Sequence, residues 1–177
     1  MLITTHLALM AEYNQWMNVK LYDSSAQLPA PELDRDRGAF FGSILGTLNH
    51  IAVTDIIWLQ RLSAHPSNHR SLDPIRARPT PESLRETLQS DLASLCALRA
   101  ELDGIIVRWV HELSEADLDH VLEYRNSKGI AAQRRFGPLA LHLFNHQTHH
   151  RGQATTLLFQ AGIDVGATDL LMLIPKE

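Results

Sequence analysis

Four segments of the chain carry apolar residues at intervals of three, four and seven, and this helical periodicity constrains the fold more than any other feature. The segments span residues 4–28, 40–62, 81–113 and 137–161. Pro29 and Pro31 stop the first segment, and Gly162 is suited to end the last. The pattern predicts an all-α protein, built as a four-helix up-and-down bundle with a long loop between its second and third helices.

The connections are less regular than the helices. Residues 63–81 contain four prolines among scattered polar residues and show neither helical nor strand periodicity, which predicts a long surface loop. Thr80 and Pro81 suit an N-cap and a first turn, so the third helix is predicted to begin there. Residues 32–37 form a charged connector, and residues 114–136 are predicted to contain a short two-stranded excursion.

Length and charge limit the classes of function. A chain of 177 residues is long enough for one buried core and short for two, so residues 1–177 are predicted to form a single domain. The net charge of −4 and the mixing of acidic with basic side chains provide no basic stripe, which argues against nucleic acid as a ligand. Cys96 is the only cysteine, so an intramolecular disulfide and a cysteine-rich metal site are excluded.

No targeting or membrane-spanning segment is expected. The N-terminal stretch lacks a positively charged lead and reaches Glu12 before an apolar run long enough for a signal sequence. Later windows do not approach the roughly 18 uninterrupted apolar residues of a membrane-spanning helix. A soluble cytoplasmic protein without a membrane partner is therefore predicted, and the single cysteine fits a reducing compartment.

Histidines are the residues most indicative of chemistry. Ten are present, and four of them lie close together in the last helical segment: His142, His146, His149 and His150. Residues four apart lie about 40° apart around a helix and one turn along it, so the rings of His146 and His150 can converge on one ion. Both interrupt an apolar stripe, where each unpaired polar group costs about 1–3 kcal/mol. His142 and His149 lie to one side of this stripe and are expected to be peripheral.

A third ligand is needed from a facing helix, because two imidazoles make a weak site. His50 is the first choice, since it interrupts the most apolar segment, where an aliphatic residue is usual. His6 is the alternative. His65 and His69 lie in the proline-rich loop and are expected to be solvated.

A structural role competes with metal binding for each of these groups. Histidines four apart on a helix also occur by chance, and many histidines only make hydrogen bonds. Asp55 lies on the apolar stripe of the second segment and is either a partner for a ring N–H or a polar contact at an interface. Arg151 either binds an anionic substrate or belongs to a surface or interfacial ion pair.

Three stretches resemble the DinB/YfiT-like family: YNQWMN, RGAFFGSILGTLNHIAVTDIIWLQRL and LFNHQTHHRGQATTLLFQAG. They keep the order and spacing of that family. The resemblance implies a four-helix bundle, usually dimeric, with a metal triad made of one histidine from the second helix and an H-x-x-x-H pair from the last long helix. Carried over to this chain, the triad is His50, His146 and His150.

The resemblance also implies a class of reaction. Better-understood relatives are metal-dependent transferases or isomerases that use a low-molecular-weight thiol such as bacillithiol, mycothiol or glutathione. We therefore expect a divalent ion, with zinc or nickel ahead of manganese or iron, a small-molecule substrate, a small thiol and a homodimer. Metal-assisted hydrolysis is the nearest variant. The alternative is a non-enzymatic, stress-associated helical dimer in which the ion is structural.

Overall fold

The computed structural model describes residues 2–175 and is mainly helical. In chain order, the α-helices of this range are α1 (Ile3–Ser25), α2 (Ala30–Asp34), α3 (Ile44–Leu62), α4 (Asp73–Arg76), α5 (Leu92–Glu112), α6 (Glu115–Leu118) and α7 (Phe136–Gln160). Two strands, β1 (Val121–Arg125) and β2 (Ala131–Arg135), precede α7. No helix in this range is both long and apolar enough to cross a membrane.

The four long helices share one hydrophobic core. Helix α1 packs against α5 and α7, and α3 packs against the same two helices. Each contributes fully buried side chains, among them Leu21, Leu48, Trp109 and Phe144. The mainly helical fold predicted from the apolar periodicity is therefore confirmed, while the four-helix up-and-down bundle stays a prediction.

Three of the four long helices lie close to their predicted bounds. Helix α1 ends at Ser25 rather than at residue 28, and the short helix α2 occupies part of the predicted charged connector. Helix α3 begins at Ile44 rather than at residue 40, because the side chain of Ser43 accepts a hydrogen bond from the amide of Gly46 at 3.0 Å and caps it. Helix α7 ends just before Gly162, whose φ of 86° suits glycine.

The predicted start of the third long helix is wrong. Helix α5 does not begin at Thr80 and Pro81 but at Leu92, where the side chain of Asp91 accepts a hydrogen bond from the amide of Ser94 at 2.8 Å. A threonine followed by proline suits a turn as well as a helix start, so this local signal does not decide between them.

The residues before α5 are instead held against α3 by tertiary hydrogen bonds. The side chain of Asn49 donates to the carbonyl of Gln89 at 3.0 Å and accepts from its amide at 3.0 Å.

The loop after α3, predicted to be irregular, contains a 3₁₀ turn, Arg70–Leu72, followed directly by α4. Leu72 and Ile75 are fully buried, so this part of the loop is ordered by burial rather than by periodicity.

The predicted two-stranded excursion is confirmed. Strands β1 and β2 are antiparallel, with Val121 opposite Arg135 and Arg125 opposite Ala131. The turn between them includes Gly129, which has a φ of 74°. The hairpin runs directly into α7, so β2 adjoins the helix that carries two of the candidate ligands.

Candidate metal centre

Three histidines converge where α3 meets α7. His50 lies on α3, and His146 and His150 lie one turn apart on α7. The Nε2 atom of His150 is 3.2 Å from Nε2 of His50 and 3.1 Å from Nε2 of His146. The structure thus brings together the three residues that the sequence singled out, which we call the histidine triad.

Two of the triad rings are oriented by strong acceptors at their second nitrogen. Nδ1 of His50 is 2.8 Å from the backbone carbonyl of Leu84, and Nδ1 of His150 is 2.7 Å from Oε1 of Gln153. Because a carbonyl oxygen only accepts, these contacts assign the proton of each neutral ring to Nδ1. The lone pair of each ring is then on Nε2, the atom that faces the other histidines.

The tautomer of the third ring is assigned from its contact with a hydroxyl group. The Oγ1 of Thr54 donates to the carbonyl of His50 at 2.8 Å, which leaves an oxygen lone pair for Nδ1 of His146 at 3.4 Å. His146 is therefore assigned the same tautomer, with its Nε2 lone pair directed into the triad. The contact between Thr54 and His146 connects α3 to α7.

A divalent cation fits this arrangement. Three Nε2 lone pairs that face one another cannot form hydrogen bonds among themselves, because none of the three atoms carries a proton. Metal–nitrogen bonds of 2.0–2.1 Å in a tetrahedral site would place the ligand atoms roughly 3.3 Å apart. The observed separations of 3.1 and 3.2 Å are close to that value. A set of imidazoles suits zinc, nickel, copper or iron better than magnesium or calcium.

The electrostatics keep the triad in its ligand form. Burial lowers the pKa of His50 to about 4, with smaller lowering effects from His150 and Arg85 and an opposing effect from the hydrogen bond to Leu84. Burial, together with the neighbouring histidines, lowers the pKa of His146 to about 3. Burial also lowers the pKa of His150. Neutral imidazoles are therefore present at pH 7, as metal binding requires.

An open cleft adjoins the triad. The ring of Phe41 stacks on that of His50, with centroids 3.7 Å apart and planes inclined by 17°. Phe41, Leu84 and Arg85 also line a cleft of about 860 Å³ that extends to Tyr124 on β1. The triad itself does not line this cleft, but two of its lining residues contact His50 directly.

Comparison with known proteins shows the family of this chain. A family model described as the DinB family matches residues 1–176. The chain belongs to the DinB family. It is 24% identical over 159 residues to Protein DinB of Bacillus subtilis (strain 168), a match that covers 89% of this chain and 87% of that protein. No solved structure gives a significant match. The resemblance noted from the sequence is therefore confirmed at the level of the family.

In this DinB family protein, Asp55 lies in a buried polar network rather than against a ring N–H. It is fully buried and forms an ion pair with Arg99 of α5, and it accepts a hydrogen bond from Nε2 of Gln147 at 2.6 Å. Arg99 also pairs with Asp103 at 3.1 Å, and Asp103 accepts from Asn18 of α1 at 2.9 Å. The network therefore ties all four long helices together next to the triad.

Arg151 belongs to the same network. It is only 2% exposed and donates to the side chains of Asn14 and Gln147, the latter at 3.0 Å. Neither an anion-binding role nor a surface ion pair fits a guanidinium so enclosed. Its contacts with α1 instead help to fix α7, the helix that carries His146 and His150.

The remaining histidines differ in their exposure. His142 and His149 are exposed, as expected, and so is His6, the alternative third ligand, which lies outside the triad. The expectation that His65 and His69 are solvated is wrong, because each is only 5% exposed.

The groups that orient the triad were not predicted from the sequence. Thr54 and Gln153 stand four and three residues beyond His50 and His150 on the same helices, so helical spacing is a signal that indicates them. The carbonyl of Leu84 belongs to a segment predicted to be helical, and no local pattern connects it with His50.

Proposed function

We propose that this DinB family protein is a metal-dependent transferase that moves a low-molecular-weight thiol onto a small electrophile, with His50, His146 and His150 as the metal ligands. The observation that carries the proposal is the convergence of three unprotonated Nε2 atoms at separations of 3.1 and 3.2 Å. Metal-assisted hydrolysis is the nearest variant, since water can occupy the same position as a thiol. Zinc and nickel are the ions favoured by an all-imidazole donor set, with manganese and iron as alternatives.

Three protein ligands leave room on a metal ion for a fourth ligand, which a substrate can supply where a cleft gives access to the ion. When bound, a divalent ion with three imidazole ligands keeps at least one coordination position open and lowers the pKa of a thiol or water there. Other residues of the chain orient the three rings and exclude water. Leu84, Thr54 and Gln153 hold the three rings in the tautomer that presents Nε2. Phe41 covers one face of His50 and excludes water from that side.

The adjoining cleft is proposed as the substrate site. Its lining carries three arginines and two glutamates: Arg61, Arg85, Arg125, Glu82 and Glu123. Arg85 lies close enough to the triad to lower the pKa of His50, so positive potential reaches the side of the cleft next to the metal ligands. A small thiol that carries carboxylates, as glutathione does, fits such a surface. The aromatic rings of Phe40 and Tyr124 provide apolar contact for an electrophile.

The proposal also covers the helix arrangement, the oligomeric state and the cellular location of the protein. We infer an up-and-down arrangement of the four long helices and a cytoplasmic homodimer. Exposed apolar side chains support a subunit interface, since Phe159 and Leu171 are each 72% exposed and Leu2 is 60% exposed. Light scattering coupled to gel filtration tests this inference, and a monomer at micromolar concentration would contradict it.

Turnover assays with matched variants test the enzymatic proposal. The metal-free full chain is reloaded with zinc, nickel or manganese and incubated with glutathione, bacillithiol or mycothiol and a chromogenic electrophile. We expect His146→Ala to lose bound metal and to lower turnover at least about 100-fold, because two ligands are a weak site. His142→Ala removes an exposed histidine from the same helix and should behave like the unchanged protein.

Two results would overturn the proposal. If no metal supports turnover with any thiol or with water, while chelation lowers the melting temperature, the ion is structural and the non-enzymatic alternative replaces this one. If His146→Ala keeps the metal content of the unchanged protein, the histidine triad is not the metal site.

A further inference from the structure

A second group of ligand-type side chains lies outside the triad, between the loop that follows α3 and the short helix α6. His65 and His69 belong to the loop, and Asp117 belongs to α6. One ligand atom from each residue lies within 4.8 Å of those of the other two. All three residues are buried, with exposed fractions of 5%, 5% and 9%.

His69 is the unusual member of this group. Neither of its ring nitrogens has a hydrogen-bond partner among residues 2–175, although the side chain is only 4% exposed. A neutral imidazole carries one N–H and one lone pair, and leaving such groups buried and unpaired costs about 1–3 kcal/mol each. Nε2 of His69 lies 3.6 Å from Oδ2 of Asp117, which is too long for a hydrogen bond but suits two ligands of one ion.

Hydrogen bonds keep the side chain of Asp117 in its anionic form. The hydroxyl of Ser67 donates to its Oδ1 at 2.5 Å, and the amide and hydroxyl of Ser114 donate to its Oδ2 at 2.8 and 2.7 Å. Burial raises the pKa of this carboxyl, but these hydrogen bonds outweigh burial and hold it well below its usual range. Oδ1 accepts from one donor only and keeps a lone pair for an ion.

His65 presents an unprotonated nitrogen to the same space. Its Nε2 donates to the backbone carbonyl of Asp117 at 3.2 Å, which assigns the lone pair to Nδ1. Nδ1 lies 3.9 Å from Oδ1 of Asp117 and accepts from the amide of Ser67 at 3.1 Å. A metal bond at Nδ1 would replace that single hydrogen bond. Burial lowers the pKa of His65, so the ring is neutral and able to act as a ligand.

We propose that His65, His69 and Asp117 form a second site for a divalent transition metal, distinct from the histidine triad and structural in role. Two imidazoles and a carboxylate are a donor set that zinc accepts. Nε2 of His69 is 3.6 Å from Oδ2 of Asp117, and Nδ1 of His65 is 3.9 Å from Oδ1, so the three side chains must move closer together to bind one ion with bonds of 2.0–2.2 Å.

The consequence of such a site is a cross-link between distant parts of the chain. The ion joins the loop after α3 to α6, and the ring of His65 packs on Phe136, the first residue of α7, with centroids 4.5 Å apart. A metal that closes a loop between residues 65 and 117 restricts the unfolded chain and stabilises the folded one. All three ligands of this group are buried, whereas His146 of the triad is only partly buried, so a substrate has less access to an ion at this second position and the role assigned to it is structural.

Zinc stoichiometry in the full chain tests this site independently of the triad. The protein is stripped with chelator, reloaded with Zn²⁺, desalted and measured by elemental analysis, with circular dichroism as the check on folding. We expect about two zinc ions per chain for the unchanged protein, about one for His69→Gln and about one for His146→Ala. His111→Gln, an exposed histidine on α5, should retain about two and serves as the matched control.

The outcomes separate the two sites. The second site is overturned if His69→Gln folds and binds as much zinc as the unchanged protein, or if folded His146→Ala binds none. The measurement on His146→Ala does not depend on whether His69→Gln folds. Should His69→Gln bind no zinc while His146→Ala binds as much as the unchanged protein, the second site stands and the metal ligands of the proposed enzyme are wrong.

Discussion

The Nδ1 of His50 donates a hydrogen bond of 2.8 Å to the backbone carbonyl of Leu84, a residue 34 positions further along the chain. This contact connects a candidate metal ligand on α3 to an irregular segment that precedes α5. It also fixes the ring so that Nε2 faces His146 and His150. Metal affinity should therefore depend on groups that do not touch the ion.

Gln153 provides the first test of this dependence. Replacing it with leucine removes the acceptor 2.7 Å from Nδ1 of His150, so the ring loses the contact that sets its tautomer. We expect the zinc affinity of the triad to fall about 10–100-fold, measured by competition with a chromogenic chelator in the His69→Gln background. Gln160→Leu, an exposed change two turns along α7, is the control and should leave the affinity unchanged. Equal affinities for the two variants would contradict the assigned role.

Gly46 is predicted to be indispensable for the position of Phe41. A Cβ atom at residue 46 would clash with the carbonyl oxygen of Phe41, so Gly46→Ala must displace the segment that stacks on His50. We expect a loss of about 1–3 kcal/mol in the free energy of unfolding, together with weaker zinc binding.

The matched control is Gly152→Ala on α7, where an added Cβ meets no atom within 4 Å. Because alanine favours a helix interior over glycine, this variant should gain roughly 0.5–1 kcal/mol. Urea denaturation of both variants measures the difference. The prediction fails if Gly46→Ala is as stable as Gly152→Ala.

The buried ion pair between Asp55 and Arg99 should be sensitive to the loss of one partner. Arg99→Leu leaves two buried carboxylates, Asp55 and Asp103, without their cation. We expect a loss of about 3–5 kcal/mol in the free energy of unfolding by urea denaturation. Arg108→Leu, at an exposed position of α5, should change it by less than about 0.5 kcal/mol. Similar costs for the two variants would show that the pair contributes little.

The metal-free protein should lose stability as the pH falls. Burial lowers the pKa of His50 to about 4 and that of His146 to about 3, whereas unfolded histidine titrates near 6.5. Below pH 6.5 the unfolded chain therefore binds more protons than the folded protein, and these two residues favour unfolding increasingly down to pH about 4. Above about pH 7 their contribution is constant.

The measurement is urea denaturation of chelated protein at several pH values between about 7.5 and 4.5. Asp55 acts in the opposite sense in part of this window, because burial raises its pKa to about 6. The comparison is therefore with His146→Gln, which should show a shallower loss of stability on acidification. Parallel pH profiles for the two proteins would rule out the assigned contribution of His146.

Local sequence patterns were sufficient to predict three of the four long helices and part of the candidate site. The periodic apolar stripes of α1, α3 and α7 and the spacing of His146 and His150 depend only on helix geometry, so the sequence already contains them. His50 was predictable because it interrupts an apolar helix and because the surrounding stretch resembles the family. Gly162 and the turn at Gly129 were predictable from the conformational freedom of glycine.

Other features were decided only when distant segments packed together. The segment around Leu84 is irregular because Asn49 and His50 form hydrogen bonds with its backbone groups. The local sequence Thr80–Pro81 does not indicate these partners. His65 and His69 lie in a proline-rich loop that is normally solvated, yet packing against α6 and Phe136 buries them. Helical periodicity is a property of neighbouring residues, whereas these contacts join residues far apart, so only the tertiary structure determines them.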